Sequence, residues 1–234
     1  MGLYKWRRMW DIMKYNIIQS GSDGNAIVIN DFFLLDCGIS YRSLKQYLKS
    51  IKLIFVSHGH LDHLNKTCVK QIAYNNPNIK FIVGSTDLVD ELIKCGVKSS
   101  NIYALISSRW YDLGIIKIKL EKVSHDVPNH LCKFQIKDKK GIYIVDTGNV
   151  DNIVAKDYDL YLIEANYMID VLEENKHKLD ENNEYDHLYR VENVHLSYEQ
   201  ANEFLINNMK NDSVFEYIHK SKINFKEKVW IDKS

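Results

Sequence analysis

The feature that most constrains the fold of this chain is a histidine-rich loop that follows a short apolar segment. Residues 57–64 read Ser-His-Gly-His-Leu-Asp-His-Leu, directly after Leu53-Ile54-Phe55-Val56. An apolar run of this length bounded by a polar turn predicts a buried strand, which delivers the loop to a fixed place. The loop carries four potential metal ligands, which are His58, His60, Asp62 and His63. Such ligands suit zinc, and the carboxylate also admits manganese or iron. The alternative is a polar surface loop that is merely rich in histidine.

The length and charge of the chain set broad limits on its class. With 234 residues, the chain is long enough for one domain with a substantial core, which we predict over residues 13–234. Residues 1–12 are basic and aromatic and are predicted to be an N-terminal extension. Lys plus Arg and Asp plus Glu both total 31. The sequence has no polybasic tail or acidic run that would indicate binding to nucleic acid or to a membrane. Nucleic acid is not excluded, because a local metal site can hold phosphate.

The cysteines and the hydropathy pattern predict a cytoplasmic protein. Cys37, Cys68, Cys95 and Cys132 are scattered and form no C-x-x-C pair. They are therefore interpreted as reduced thiols of an intracellular protein. No apolar stretch approaches the length of a membrane span, and no signal-peptide pattern is found.

Short strands and helices alternate along the chain. Strands are predicted at 15–19, 26–30, 32–36, 53–56, 80–83, 115–123, 132–137, 142–146 and 160–164. Helices are predicted at 40–49, 62–73, 86–94, 167–176 and 198–208, and the charged stretch 173–193 is either a loop or a solvated helix face. Strands in two blocks, with helices between and after them, predict a layered α/β sandwich.

Four further segments place a polar side chain at the end of an apolar strand or before a helix. They contain Asp36, His125, Asp146 and His195. Loops at strand ends meet to form sites in layered folds, so these side chains are candidates for the same site as the histidine-rich loop. Taken singly, each has a plain alternative, because Asp before Gly is a common turn former and a lone His is often structural.

Taken together and in this order, these residues resemble the metallo-β-lactamase fold superfamily over nearly the whole chain. The resemblance implies an α/β fold, a four-layer αββα sandwich, with two divalent metal ions, zinc or manganese. It implies a first ion held by His58, His60 and His125, a second held by Asp62, His63 and His195, and Asp146 as the bridge between them. It also implies that Asp36 orients the histidine-rich loop from outside the ligand set.

Within that superfamily the chain is most similar to the YycJ/WalJ-like hydrolases. The similarity lies in residues 20–26, Ser124-His125-Asp126, Asp146-Thr147-Gly148, Glu164-Ala165-Asn166-Tyr167 and His195-Leu196-Ser197. Residues 218–221, Ile-His-Lys-Ser, resemble the terminal His-Leu-Ser segment of the group, with Lys220 as a departure. The group is linked to 5′-to-3′ exonuclease action on DNA and is common in low-GC Gram-positive bacteria and their phages.

The resemblance implies a nuclease that hydrolyses phosphodiester bonds of DNA or RNA. A metal-activated hydroxide would be the nucleophile, with Asp62 or Asp146 orienting it. His219 has two open interpretations: a phosphate contact or proton donor, or an exposed histidine in a basic segment. The expected partner is nucleic acid or a nucleotide, without a membrane, and a homodimer is an open possibility.

Two other functions are weighed against the nuclease. The first is a hydrolase of small molecules, either a cyclic nucleotide phosphodiesterase of the kind that serves phage counter-defence or an ester or lactone hydrolase. The neutral charge and the lack of a substrate-binding arm favour it. The second is a non-catalytic, metal-bound regulatory module, against which the complete set of ligands argues.

Overall fold

Two six-stranded sheets form the framework of residues 13–179 and 185–225, which this computed structural model describes; for 177–179 and 185–189 it describes the backbone alone. The first sheet has the order β1 (Tyr15–Gln19), β2 (Ala26–Ile29), β3 (Phe33–Leu35), β4 (Leu53–Phe55), β5 (Lys80–Val83), β6 (Ile102–Ala104). The second has the order β12 (Val214–Ile218), β11 (Leu160–Glu164), β10 (Lys139–Ile144), β9 (Asn129–Ile136), β8 (Lys117–Val123), β7 (Trp110–Asp112).

Helices cover the outer faces of the two sheets. The helices are α1 (Tyr41–Leu44), α2 (Lys66–Asn75), α3 (Thr86–Lys94), α4 (Ile169–Leu179), α5 (Tyr185–Val194) and α6 (Tyr198–Asn208). Apolar residues of α1, α2 and α3 share one core cluster with the first sheet, and those of α6 share another with the second. A third cluster lies between the sheets. The predicted four-layer αββα sandwich is therefore confirmed.

The side-chain pattern of the inner strands requires this layering. In β2, Ile27 and Ile29 belong to the cluster between the sheets, whereas Ala26 and Val28 belong to the cluster under the helices. All four are buried. A strand that is apolar on both faces is stable only when both faces are covered. Phe33 and Phe134 join the two sheets, with ring centroids 5.6 Å apart in an edge-to-face arrangement.

The parallel strands gather the candidate residues at one edge of the sandwich. The pairs β3–β4, β4–β5, β10–β11 and β11–β12 are parallel. Their carboxyl ends therefore point the same way within each sheet. Residues from both sheets meet at this edge: Asp36 follows β3, His58 follows β4, Asp146 follows β10, Glu164 ends β11 and His219 follows β12.

Several predicted elements are confirmed and others need correction. Strands 15–19, 80–83 and 160–164 and helices 86–94 and 198–208 have the predicted bounds. The helix predicted from residue 62 begins only at Lys66, because residues 61–63 form a turn and the Asn65 side chain caps the helix. The helix predicted over 40–49 ends at Leu44 and continues as turns.

Among the described residues, three strands were not predicted, namely β6, β7 and β12, and α5 lies mostly in the stretch 173–193, for which a loop and a solvated helix face were both left open. Strands β6 and β7 are three residues long and lie at sheet edges with partly exposed side chains, so they lack a strong apolar pattern. The predicted extension at 1–12 lies outside the described residues, and the extent of the domain stays a prediction. None of the described helices is long and apolar enough to cross a membrane.

Candidate metal centre

The first candidate ligand group brings together three histidines and one carboxylate from three loops. It consists of His58, His60, His125 and Asp146, whose ligand atoms all lie within 4.8 Å of one another. Nε2 of His58 is 3.1 Å from Nδ1 of His60, which is 3.3 Å from Nε2 of His125. Oδ2 of Asp146 is 3.3 Å from Nε2 of His58. The structure thus brings together the three histidines that the resemblance implied for the first ion and Asp146, the implied bridge.

The second candidate group contains Asp62, His63, Asp146 and His219. Nε2 of His63 lies 3.3 Å from Oδ2 of Asp62 and 3.1 Å from Oδ2 of Asp146. Nε2 of His219 lies 3.4 Å from the same Asp62 oxygen. The same Asp146 oxygen therefore faces both groups, which is the position expected of a bridging carboxylate.

His219 occupies the place in this second group that the sequence analysis assigned to His195. Strand β12 runs parallel to β11 and ends at Ile218, so that His219 is brought next to Glu164 and Asp62. His219 is 4 % exposed, so its interpretation as an exposed surface histidine is wrong. Both its ring nitrogens face site carboxylates, because Nδ1 lies 3.1 Å from Oε1 of Glu164.

His195 lies beside the second group rather than in it. Its Nδ1 is 2.6 Å from Oε1 of Glu164 and 3.3 Å from Oδ1 of Asp146. Together with Glu164 and His219 these residues form a third cluster of possible ligands. The His195 side chain is 19 % exposed and that of His219 is 5 % exposed. Of the two histidines, His195 is therefore the more accessible to a molecule entering the site.

Asp36 holds the histidine-rich loop through hydrogen bonds to its first residue and to His63. Its Oδ1 accepts a hydrogen bond from the Ser57 amide at 2.8 Å. Its Oδ2 accepts bonds from the Ser57 hydroxyl at 2.9 Å and from the Tyr143 hydroxyl at 2.7 Å, and it lies 2.7 Å from Nδ1 of His63. Asp36 is fully buried. The structure thus places Asp36 where the resemblance implied, in contact with a candidate ligand but outside the ligand groups.

Each candidate histidine has an oxygen beside the ring nitrogen that faces away from its group. The partners are the Ser57 hydroxyl for His58, Asp126 for His60, Asp36 for His63, the Val194 carbonyl for His125 and Glu164 for His219. An N–H that donates to such an oxygen leaves the other ring nitrogen with a lone pair. This arrangement is typical of histidines that bind metals, since the outer partner fixes the tautomer.

The residues present fit a pair of divalent ions. Zinc ligands at about 2.0–2.2 Å in a tetrahedron stand roughly 3.3–3.6 Å from one another. The separations of the ligand atoms given above for both groups lie close to that range. Oδ1 of Asp146 is buried and accepts no hydrogen bond of normal geometry, although Nδ1 of His219 is 3.1 Å away. A buried carboxylate oxygen without a donor calls for a bound ion or water beside it, and the other oxygen, Oδ2, faces both ligand groups.

The surroundings of the site favour a neutral His58 and an ionised Asp146, but a protonated His63. Burial lowers the pKa of His58 to about 4, with His63 adding to the effect, so that His58 is a neutral imidazole. Burial opposes ionisation of Asp146, but His219 and His63 hold the pKa of its carboxyl well below the usual range. Burial likewise opposes the charged form of His63, whereas Asp146 and Asp36 raise its pKa well above the ordinary value. Metal binding at His63 would therefore displace a proton.

Backbone strain marks three of the site residues. Asp36, Asp146 and His219 have φ angles of 57°, 50° and 54°, in the left-handed region that residues other than glycine rarely adopt. Each comes directly or shortly after a strand, and the left-handed turn directs its side chain into the site. Such conformations persist where the surrounding structure fixes them, often at functional positions.

Two further residues, Glu164 and Asn25, lie in the site, and Glu164 was given no role from the sequence. Glu164 accepts bonds from the Thr147 and Leu196 amides and contacts both His195 and His219. The Asn25 side-chain amide lies 3.0 Å from Nε2 of His63. One feature of the sequence could have indicated Glu164 as a site residue, because it is a carboxylate at the end of an apolar strand.

Comparisons of the sequence with known proteins match part of the chain. No family model matches the chain. Among curated proteins it is similar to cytidine monophosphate-N-acetylneuraminic acid hydroxylase of Asterias rubens, with 31% identity over 110 residues. That match covers 45% of this chain and 16% of the relative, so the chain spans a small part of the relative's length.

Solved structures resemble a larger share of the chain. Human tRNase Z, short form, has a TM-score of 0.64 and 16% identity, covering 89% of this chain and 92% of that one. Zinc-bound PqqB from Methylobacterium extorquens has a TM-score of 0.63 and 10% identity, covering 90% of each chain. The metallo-β-lactamase fold protein YhfI from Bacillus subtilis has a TM-score of 0.56 and 18% identity, covering 68% and 74%. The chain therefore has the metallo-β-lactamase fold, as the sequence predicted.

Proposed function

We propose that this chain is a metal-dependent phosphodiesterase that hydrolyses DNA or RNA. The observation that carries the proposal is the position of one Asp146 oxygen, 3.3 Å from Nε2 of His58 and 3.1 Å from Nε2 of His63. One carboxylate thus serves two ligand groups. Two divalent ions bound there would lower the pKa of a water and neutralise charge on a phosphoryl group.

The proposed ligands follow from the two groups. His58, His60 and His125 would hold one ion, Asp62, His63 and His219 the other, and Asp146 both. Nitrogen and carboxylate oxygen donors of this kind suit zinc or manganese. The zinc in the solved PqqB structure supports zinc as the first ion to test.

We infer that His195, rather than His219, donates a proton to the leaving oxygen. Both nitrogens of His219 face site carboxylates, and its side chain is almost completely buried. Nδ1 of His195 is fixed by Glu164 at 2.6 Å, which leaves Nε2 for a substrate atom. Burial opposes the charged form, but Glu164 and Asp146 raise the pKa of His195 to about 10. Both carboxylates thus favour the protonated ring, which is the form that gives a proton.

The described cysteines do not supply a nucleophile. Cys37 and Cys132 are fully buried, and burial raises the pKa of both thiols well above the ordinary value. A thiol of this kind is inert, because the thiolate is the reactive form. Water is thus the nucleophile that the site favours. The similarity of fold to tRNase Z supports a nucleic acid as the substrate.

A substrate panel with the purified chain tests the proposal. With Zn²⁺ or Mn²⁺ added, we expect hydrolysis of bis-p-nitrophenyl phosphate and of labelled single-stranded DNA or RNA, and loss of both activities in Asp62→Ala. Turnover of 3′,5′-cyclic nucleotides without cleavage of DNA or RNA would favour the small-phosphodiester alternative. Turnover of a carboxylic ester or a lactone alone would favour an ester or lactone hydrolase. No turnover of any substrate by metal-loaded protein would favour the regulatory module.

A further inference from the structure

An arginine lies at the edge of the first ligand group. Arg190 belongs to α5, and its guanidinium donates to Oδ2 of Asp126. The other oxygen of Asp126 is 3.1 Å from Nε2 of His125 and 3.4 Å from Nε2 of His60. The Asp126 carboxylate therefore contacts both Arg190 and two of the candidate metal ligands.

The end of α5 is fixed against the site. The Val194 carbonyl lies 3.2 Å from Nδ1 of His125. A Cβ on Gly148 would stand 2.1 Å from the Asn193 carbonyl oxygen, so the backbones of these two segments are in direct contact. Gly148 follows Asp146 by two residues. The end of helix α5 thus contacts two loops of the site, those of His125 and of Gly148. Arg190 belongs to this helix.

The guanidinium remains available to a ligand. The Arg190 side chain is 63 % exposed, and the contact with Asp126 uses Nη2, one of its two terminal nitrogens. Arginine suits phosphate because its five N–H donors match the phosphate oxygens in a bidentate arrangement. The formal net charge of the whole chain is zero. Attraction of a polyanion therefore depends on individual cations placed beside the site.

We propose that Arg190 forms a subsite for a backbone phosphate next to the scissile one in a single-stranded polynucleotide. The proposal deepens the function given above and rests on it. Asp126 holds the guanidinium over the edge of the site before the substrate arrives. An oligonucleotide carries a neighbouring phosphate that can bind there, whereas a substrate with a single phosphodiester has none. Arg190 would therefore favour polymeric over small phosphodiesters.

A structural role for Arg190 gives different expectations. If Arg190 served only to orient Asp126 and through it His60, its loss would weaken the first ligand group. Metal content would then fall, and hydrolysis of every substrate would fall together. A phosphate subsite affects the longer substrate alone.

The test compares Arg190→Gln with Lys14→Gln, which removes the same formal charge. Lys14 is exposed and pairs with Asp31 in the β2–β3 turn, at the end of the first sheet opposite Asp36. Binding of a fluorescein-labelled single-stranded DNA to EDTA-treated protein is measured by anisotropy across a salt series. We expect Arg190→Gln to weaken binding by about tenfold and to reduce the salt slope by roughly 0.7, while Lys14→Gln binds like the wild type.

The kinetic half of the test uses metal-loaded protein. Arg190→Gln should raise KM for the oligonucleotide and leave both metal content and kcat/KM for bis-p-nitrophenyl phosphate unchanged. Equal losses on both substrates, lost metal, or unchanged DNA binding would overturn the proposal. If the wild-type protein binds DNA through Arg190 but hydrolyses no phosphodiester, the proposed function fails and the subsite stands.

Discussion

Nδ1 of His195 lies 2.6 Å from Oε1 of Glu164, and the same oxygen lies 3.1 Å from Nδ1 of His219. One buried carboxylate therefore orients two histidines that the chain separates by a helix and a strand. The ring of His219 faces Asp62 with its other nitrogen. The two histidines thus have different surroundings, and their replacement should have different effects.

Replacing these histidines separates metal binding from proton transfer. His219→Ala should release one of the two ions and abolish activity. His195→Ala should keep both ions and lower kcat by about 10²–10⁴-fold, the usual loss when a general acid is removed. Metal analysis and steady-state kinetics on the same preparations measure both effects. An His195→Ala protein that lost an ion, or an His219→Ala protein that kept two, would reverse the assignment.

Asp36 should control metal affinity without touching the metal. Asp36→Asn keeps the size of the side chain and tolerates the left-handed backbone, but it weakens the hydrogen bonds to Ser57 and His63. Loss of such outer partners typically weakens metal affinity by about 10–100-fold. Competition with a chromophoric chelator measures the change. Tyr143→Phe removes a single hydrogen bond to Asp36 and should have a smaller effect in the same direction; equal affinity in all three proteins would contradict this role.

Two glycines beside the histidine-rich loop should respond differently to a methyl group. A Cβ on Gly38 would lie 1.7 Å from the Asp62 carbonyl oxygen, whereas on Gly59 its nearest neighbour would be a Leu88 methyl at 3.9 Å. Gly38→Ala must shift the backbone that carries Asp62 and should cost metal and activity. Gly59→Ala, although it stands between two candidate ligands, should retain the metal. Equal behaviour of the two variants would show that the loop adapts to the added methyl group.

A buried ion pair far along the second sheet should contribute to stability at neutral pH. Lys133 Nζ donates to Oε2 of Glu121 at 2.6 Å, and the Lys133 side chain is 4 % exposed. Glu121→Gln leaves that ammonium without its counter-charge, and we expect a loss of about 3 kcal/mol in the free energy of unfolding at pH 7. Urea unfolding in EDTA measures the difference apart from metal binding.

The pH dependence of that difference has a definite sign. Burial raises the pKa of the Glu121 carboxyl, but Lys119 and Lys133 outweigh it and hold the pKa below the ordinary value. A carboxyl with a lowered pKa in the folded state stabilises the fold above its pKa in the unfolded chain, about 4.3. The difference in the free energy of unfolding between the wild type and Glu121→Gln should therefore shrink as the pH falls below that value. A difference that stays constant down to pH 3 would contradict the ionic interpretation.

The sequence predicted the parts of the site that are local in the chain. His58, His60, Asp62 and His63 lie within six residues, so one turn after one strand places them together. Asp36 and Asp146 were identified because each follows an apolar strand and precedes a turn. The layered sandwich was predicted from strands in two blocks, with helices between and after them.

The last ligand depends on contacts that spacing does not reveal. His219 reaches Asp62 only because β12 pairs with β11 in parallel and the chain then turns with a φ of 54°. Strand β12 was not predicted, so the spacing gave no reason to place His219 rather than His195 beside Asp62 and His63. Pairing between distant strands and a left-handed turn are tertiary features, so the roles of His195 and His219 required the structure.

The most direct test of the account is the metal content of the wild-type protein beside Asp146→Asn. We expect about two zinc or manganese ions per wild-type chain, with phosphodiesterase activity reaching its maximum only as the second ion binds. Asp146→Asn, if circular dichroism shows the same fold, should lose at least one ion and the activity. A wild-type protein that is fully active with one ion, or an Asp146→Asn protein that keeps two ions and full activity, would contradict a binuclear centre bridged by Asp146.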